Sequence, residues 1–284
     1  MYKLYTGYSN SKYIISLIAF ENDYLFKQWG IKSILMNNFI PYEYDSISPS
    51  DLSSKIILMI GRGESKVKRF YLGIESMKYI KQEIPECEMK IISKLDKNEL
   101  LNQLTNKLNL ENNIKFIGYD SNPEKYYKNA SLHIFPSLVE AFPNILSETL
   151  IFGIPNILVG LDYVSAARGG TIIIYNDSPL SIAKIAIKIL NNDRYRKKLG
   201  NEARKNMRKF KNEILEKKWI HLLLSIYKGD NYYEELRNKS KKSMEKKSIK
   251  IINNQIKLLK IRKKDYENIS LDNIKNLTYF LTLK

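Results

Sequence analysis

The stretch Ser131-Leu132-His133-Ile134-Phe135-Pro136-Ser137-Leu138-Val139-Glu140-Ala141-Phe142-Pro143-Asn144-Ile145-Leu146-Ser147-Glu148 decides the fold. Its first half is an apolar run that reads as a buried strand leading into a loop. Pro143 suits the first position of a helix, where its missing N–H costs nothing. Glu140 then sits on the loop, and Glu148 lies more than a turn into the helix. Between them the N–H groups of the helix start point outward, offering donors and the positive end of a dipole to an anion. Two carboxylates flanking such a place can grip the hydroxyls of a sugar and of a ribose while the N–H groups face phosphate. Taken alone, the same pair reads equally as one solvated Glu and one Glu near a helix N-terminus.

Upstream, Lys55-Ile56-Ile57-Leu58-Met59-Ile60 is an apolar strand that ends in Gly61-Arg62-Gly63 and a Ser65-Lys66-Val67-Lys68-Arg69 run. An amphipathic helix follows, with Phe70, Ile74, Met77 and Ile80 on one side. A glycine turn at the end of a parallel strand lets the backbone approach a ligand closely. Ligands of open α/β sheets bind at that edge. Arg62 and Lys68 placed there would neutralise a diphosphate; a solvated basic loop is the plainer reading in so basic a chain.

Between residues 55 and 192 strand and helix patterns alternate. Strands are expected at 56–60, 89–93, 114–117, 132–135, 156–159 and 171–175, and helices at 69–83, 96–108, 123–129, 143–152 and 178–191. This alternation predicts an α/β fold, a Rossmann-like parallel sheet covered by helices. Further helices are expected at 193–208 and 213–227, the second with an apolar stripe of Trp219, Leu222, Leu223, Ile226 and Tyr227. Before residue 55 lies a small unit: strand 14–19, helix 21–28, strand 33–36, then a linker from Pro41 to Ser50. It is too small to bury a core alone and must pack on the main domain or on a partner. Residues 229–284 form a separate basic tail. From Asp230 onward it holds 14 Lys and Arg against 7 Asp and Glu, and Ile251, Ile252, Ile256, Leu259 and Ile261 among its lysines suit either a basic amphipathic helix or a solvated segment.

The chain has 284 residues, 44% hydrophobic, with a formal charge of +17. That charge would suit nucleic acid, an anionic membrane or a phosphorylated substrate. The abundance of Lys, Ile, Asn and Tyr has the look of AT-rich codon bias, so the charge is discounted as evidence for a partner, and no nucleic-acid module is recognisable. A single cysteine, Cys87, excludes an intramolecular disulfide and fits a reducing compartment. With two histidines, His133 and His221, no zinc site is credible; His133, inside an apolar strand, reads as a core residue. Ile14 to Phe20 is too short to span a bilayer. The expectation is a cytoplasmic protein, in solution or peripheral at the membrane face.

These motifs together resemble the donor-binding half of GT-B glycosyltransferases, the family 4 (group 1) retaining enzymes that use nucleotide-sugar donors. The resemblance rests on Ile60-Gly61-Arg62, Lys68 to Ser76, Ile114 to Gly118, Ala130 to Ser137, Glu140 to Glu148, Phe152 to Pro155 and Leu199 to Arg204. It covers residues 55–228, the donor domain with its closing helix. Residues 1–54 then stand as a remnant of the N-terminal acceptor domain and its linker.

The resemblance implies the roles that follow. Arg62 and Lys68 match the basic pair on the donor diphosphate, and Gly61 the turn before it. Glu148 matches the glutamate on the ribose hydroxyls, and Glu140 the one beside the transferred sugar. Phe142, Pro143, Asn144 and Ile145 match the loop that reaches sugar and phosphate. The reaction implied is hexosyl transfer with retention from a nucleotide sugar, most readily a UDP-sugar, to a glycan or lipid-linked acceptor, with no metal and no further cofactor. There are departures: Ala141-Phe142-Pro143 stands for Gly-Phe-Gly, and Ser93-Lys94-Leu95 replaces a glycine-rich turn, which weakens the case for base recognition. The acceptor half is expected to be missing, so the alternative is a non-catalytic nucleotide-sugar-binding half of a split or degenerate enzyme. On either reading Trp219, Leu222, Leu223 and Ile226 should lack cover, and the 213–227 face with residues 11–40 should recruit a separate acceptor-domain chain or a second copy.

Overall fold

The computed structural model describes residues 2–61, 67–94, 99–137, 140–158, 169–174 and 177–229. In chain order the first elements are α1 (Tyr2–Ser9), β1 (Ile15–Ser16), α2 (Ala19–Trp29) and β2 (Ile34–Leu35). The central elements are β3 (Ile56–Ile60), α3 (Phe70–Glu83), β4 (Glu88–Ile92), α4 (Glu99–Lys107), β5 (Ile114–Phe116), α5 (Glu124–Tyr127), β6 (Leu132–Phe135), α6 (Asn144–Ile151), β7 (Asn156–Leu158) and β8 (Thr171–Ile173). Three helices follow: α7 (Pro179–Leu190), α8 (Asp193–Met207) and α9 (Asn212–Lys228).

The six strands β3 to β8 form one parallel sheet in the order β5-β4-β3-β6-β7-β8. A parallel sheet covered on both faces needs strands that are apolar throughout, and β3 shows why. Ile57 and Met59 point into a layer with Ile74, Met77 and Ile80 of α3 and Ala183 and Ala186 of α7. Leu58 and Ile60 point the other way, onto Leu146 and Leu150 of α6 and Ala203 and Met207 of α8. Gly73 lets α3 approach the sheet, since a Cβ there would lie 2.1 Å from the Met59 sulfur. Side chains set the later helix starts: Ser178 accepts the Ser181 N–H (3.2 Å) and Asn192 the Tyr195 N–H (2.9 Å), as caps do.

The N-terminal unit has its own two-stranded parallel sheet, with Ile15 opposite Ile34. Its strands are shorter than the sequence predicts, and α1 was not expected. The unit packs on α9: Ile34, Met36 and Leu222 are buried together, with Tyr13, Ile15, Trp219 and Ile226 against them. The stripe on α9 therefore has cover from within the chain, which corrects the expectation of a vacant face. Tyr227, at 87% exposed, lies outside that cover, and so does Leu223 at 57%. A helix turns about 100° per residue, so the neighbour of a fully buried Leu222 looks elsewhere. It joins Ile220, Leu224 and Tyr227 on the outer face.

The segment between unit and sheet is stitched down. Asn212 accepts the Ile40 N–H (3.1 Å) and donates to the Ile40 carbonyl (2.8 Å). The Tyr44 hydroxyl donates to the Arg204 carbonyl (3.1 Å), and the Arg204 guanidinium lies over the Tyr44 ring. Ser50 donates from its hydroxyl to the Ala130 carbonyl (2.6 Å), and buried Arg196 donates to the Leu52 carbonyl (2.7 Å). Apart from Gly229, the basic tail lies outside the described residues.

Candidate functional site

Strand order reverses between β3 and β6. From β3 the chain steps outward through β4 to β5, then returns to β6 and steps the other way to β8. The carboxyl ends of the strands at such a reversal are where open α/β sheets hold ligands. Here the edge is built from Gly61 after β3, the turn carrying Lys68 before α3, the loop after β6 and the start of α6.

Gly61 donates its N–H to the Ile92 carbonyl (3.1 Å), continuing the pairing of β3 with β4. Its Cα side is within reach of the Lys68 stem, since a Cβ there would lie 3.9 Å from Lys68 Cδ. Lys68 Nζ forms an ion pair with Glu140 Oε1. The Ser137 hydroxyl, at the end of β6, donates to the same oxygen (2.7 Å). Residues 72 apart are thus brought together, and Glu140 Oε2 has no partner among the described residues. Arg62 lies outside the described residues.

The α6 start differs from expectation by one residue. Pro143 is the residue before the helix, at φ −79 and ψ 86, and Asn144 opens it. Pro143 has no N–H, and the N–H of Asn144 turns back to the Phe142 carbonyl (3.0 Å). The first-turn donors that follow are those of Ile145 and Leu146. Phe142 and Ile145 are half-buried, Pro143 is buried and Asn144 is exposed. The Asn144 side chain accepts from Asn38 (3.2 Å), so the N-terminal unit reaches this edge.

Glu148 is more enclosed than a cleft-facing carboxylate, at 7% exposed. The hydroxyl of Tyr127, fully buried on α5, donates to its Oε2 (2.7 Å). Burial raises the Glu148 carboxyl above its usual range, and the Tyr127 hydrogen bond pulls it back. Burial and the neighbouring Glu148 push Tyr42 up to about 12. Its ring, with those of Tyr127 and Phe152, makes an aromatic cluster. Both carboxylates therefore share one arrangement: one oxygen held by the chain, the other without a partner among the described residues.

Two further groups were missed in the sequence, and a third, His133, lies in the core as the sequence reads it. Arg69 heads α3 in the left-handed region, at φ 51. It is 4% exposed, and it donates to the Pro136 carbonyl (2.8 Å) and to Asp177 Oδ2 (2.5 Å). It therefore joins the loop after β6 to the approach to α7. Tyr119, 71% exposed, stands just beyond β5, with Lys94 Nζ 5.8 Å from its ring centre. His133 is fully buried, and burial holds its imidazole down at about 4. It is a neutral core residue whose Nδ1 faces Asn156 Oδ1, while its Nε2 has no partner among the described residues. A cavity of about 660 Å³ runs along α8, lined by residues of that helix from Asp193 to Lys205 and by none of the residues above.

The arrangement offers a lysine, two half-committed carboxylates and a helix start at one sheet edge, a set of groups suited to an anionic, polyhydroxylated ligand. An uncharacterized glycosyltransferase of Methanocaldococcus jannaschii is 32% identical over 102 residues, 36% of this chain and 25% of the relative. A Campylobacter jejuni N-acetylgalactosamine-N,N'-diacetylbacillosaminyl-diphospho-undecaprenol 4-alpha-N-acetylgalactosaminyltransferase is 30% identical over 166 residues, 56% of this chain and 44% of the relative. The chain thus spans less than half the length of these curated relatives. In fold it matches S. aureus TarM (TM-score 0.65, 20% identity, 78% of this chain and 45% of that one). It also matches Anabaena HepE (TM-score 0.65, 16% identity, 76% and 64%), solved with UDP-glucose. The family model for glycosyl transferases group 1 matches residues 43–206. The chain belongs to the glycosyl transferases of group 1, with their GT-B fold.

Proposed function

We propose that this chain carries the donor site of a retaining glycosyltransferase that moves a hexosyl group from a nucleotide sugar to a glycan or lipid-linked acceptor. The observation that carries this reading is the meeting of Lys68, Ser137 and Glu140 where the strand order reverses, beside the start of α6. A departing nucleoside diphosphate gains negative charge in the transition state. A preorganised ammonium beside it stabilises that charge. An ammonium has three donors, so Lys68 can keep Glu140 and still reach a phosphate oxygen; Arg62 is its expected companion. Glu140, anchored through Oε1, presents Oε2 to the sugar hydroxyls and to positive charge developing at the anomeric carbon. Glu148 takes the ribose hydroxyls. Tyr119 offers a ring face at the end of β5 on which a base can stack.

Support for UDP as the nucleotide comes from the TarM and HepE structures, which were solved in complex with UDP. Support for a lipid-linked acceptor comes from the undecaprenol-linked substrates in the names of the C. jejuni relatives. Among the described residues no helix is long and apolar enough to cross a membrane, which is compatible with work at the cytoplasmic membrane face. The outer face of α9, with Ile220, Leu223, Leu224 and Tyr227 exposed, is where we place contact with an acceptor-domain chain or a second copy.

The test is a thermal-shift screen of the full chain against UDP-, GDP- and ADP-sugars, with Glu148→Ala alongside. One nucleotide class should raise the melting temperature, and Glu148→Ala should lose about 1.5–3 kcal/mol of its binding, the scale of a charge-assisted hydrogen bond. No stabilisation by any nucleotide sugar would overturn the reading. Turnover with an acceptor-domain protein added, and none without it, would separate a split enzyme from a binding protein.

A further inference from the structure

Glu148 is an awkward residue for its assigned task. A carboxylate that grips hydroxyls must be ionised, and burial favours the neutral acid. Among the described residues the titratable groups facing it are Tyr127 on α5 and Tyr42 of the linker, and neither is a cation. Among the described residues, what counters burial is one hydrogen bond, the 2.7 Å donation from the Tyr127 hydroxyl to Oε2. Hydrogen bonds to the charged form favour it.

The donor itself is fixed. Tyr127 is fully buried, and its ring lies 5.0 Å from that of Phe152 and 6.1 Å from that of Tyr42. Tyr42 closes the cluster edge-on against Phe152 at 5.1 Å. A ring so enclosed cannot swing its hydroxyl away, so the carboxylate is held in one rotamer and its second oxygen is presented in one direction.

We infer that Tyr127 is a positioning residue of the donor site, whose buried hydroxyl keeps the Glu148 carboxylate ionised and aims its free oxygen at the diol of the donor nucleoside. The inference rests on the donor reading given above and adds to it a residue that no motif assigns. It has a consequence in pH. Glu148 binds as the anion, so nucleotide affinity falls as pH drops through its pKa. Removing the Tyr127 hydroxyl raises that pKa further and moves the fall to higher pH.

The experiment uses the full chain as parent, Tyr127→Phe and Glu148→Gln. The Glu148 carboxyl is followed by carbon-13 NMR, its signal assigned by its loss in Glu148→Gln, and binding of uridine, which has the diol but no titrating phosphate, is measured by calorimetry from pH 5 to 8. Tyr127→Phe keeps the ring and should raise the carboxyl midpoint by about one pH unit. Uridine affinity should drop about tenfold at the acidic end and much less at pH 8. Glu148→Gln still accepts from Tyr127, and it should bind weakly with the parent's pH dependence abolished. A carboxyl midpoint unchanged in Tyr127→Phe, or a loss of affinity equal at every pH, would overturn the inference and leave the donor reading standing. Should Tyr127→Phe fail to fold, a Glu148→Gln chain that retains the parent's pH midpoint would overturn it too. A parent chain that binds no UDP, GDP or ADP would remove the donor reading and this inference with it.

Discussion

Replacing Asp177 with Ala tests how the site is braced. Arg69 and Asp177 form a pair with side-chain exposures of 4% and 14%, and Arg69 also holds the Pro136 carbonyl. Deleting one partner of a buried pair leaves the other charge uncompensated, at a cost of about 3–5 kcal/mol. The partial exposure of Asp177 sets the expectation at the lower end, about 3 kcal/mol. The left-handed backbone of Arg69 is unfavourable for a residue with a Cβ by roughly 1 kcal/mol, so its side-chain bonds are what hold it there. For a domain of this size each kcal/mol lowers the melting temperature by about 2–4 °C, so Asp177→Ala should lose roughly 6–12 °C by differential scanning calorimetry. Glu124→Ala, which breaks the exposed pair with Lys128, is the control, because exposed pairs contribute about 0.2–1 kcal/mol. UDP affinity should fall in parallel, since Pro136 precedes the serine that anchors Glu140. If Asp177→Ala melts no lower than Glu124→Ala, the buried brace is not what orders this loop.

Lys68→Ala should weaken UDP binding at least tenfold while uridine binding barely changes, because only UDP presents phosphate charge; equal losses by calorimetry would remove Lys68 from the diphosphate. Gly73→Ala should destabilise by about 1–3 kcal/mol through overpacking, and by clearly less when measured on a Met59→Ala background, since the Met59 sulfur is what a Cβ would meet. Leu222→Ala should cost about 2–5 kcal/mol and Leu223→Ala under about 0.5 kcal/mol, measured by urea denaturation; similar costs would mean that the outer face of α9 is covered.

The sheet was legible because its strands are buried on both faces, which leaves runs such as Ile56 to Ile60 with no polar break. Six expected strands appear within a residue or two of their positions. The strands of the N-terminal unit were overdrawn, since Ile14 to Ala19 is apolar while only Ile15 and Ser16 are paired. Helix α1 carries no apolar stripe and gave no signal. Of the site, Lys68 and Glu140 were readable because each lies on the connection that leaves the carboxyl end of a strand, so topology brings them to one edge. Tyr127 and Asp177 were not. Their partners lie 21 and 108 residues away, and a tyrosine in a four-residue helix or an aspartate before a serine announces nothing locally. Pro143 was read one position too far into its helix, because proline tolerates both places and only ψ separates them.

The clasp between Asn212 and Ile40 sets the mechanics of the molecule. The chain crosses from the N-terminal unit to the sheet at residue 40 and comes back at residue 212, and the two crossings are tied by a reciprocal pair of hydrogen bonds. With Tyr44 and Asp45 tied to Arg204 and Lys211 just beyond, the two segments are fastened over one short stretch, where they can pivot but cannot slide past each other. Helix α9 starts at that pivot and runs for 17 residues, a rod of roughly 25 Å, with the N-terminal unit seated on it beside Leu222. A turn of a few degrees at Asn212 is thus magnified along the rod and carries the whole unit with it. Asn38, which touches Asn144 at the head of α6, lies two residues from the pivot, where such a swing moves things least. The link to the donor edge can then survive while the far end of the unit travels.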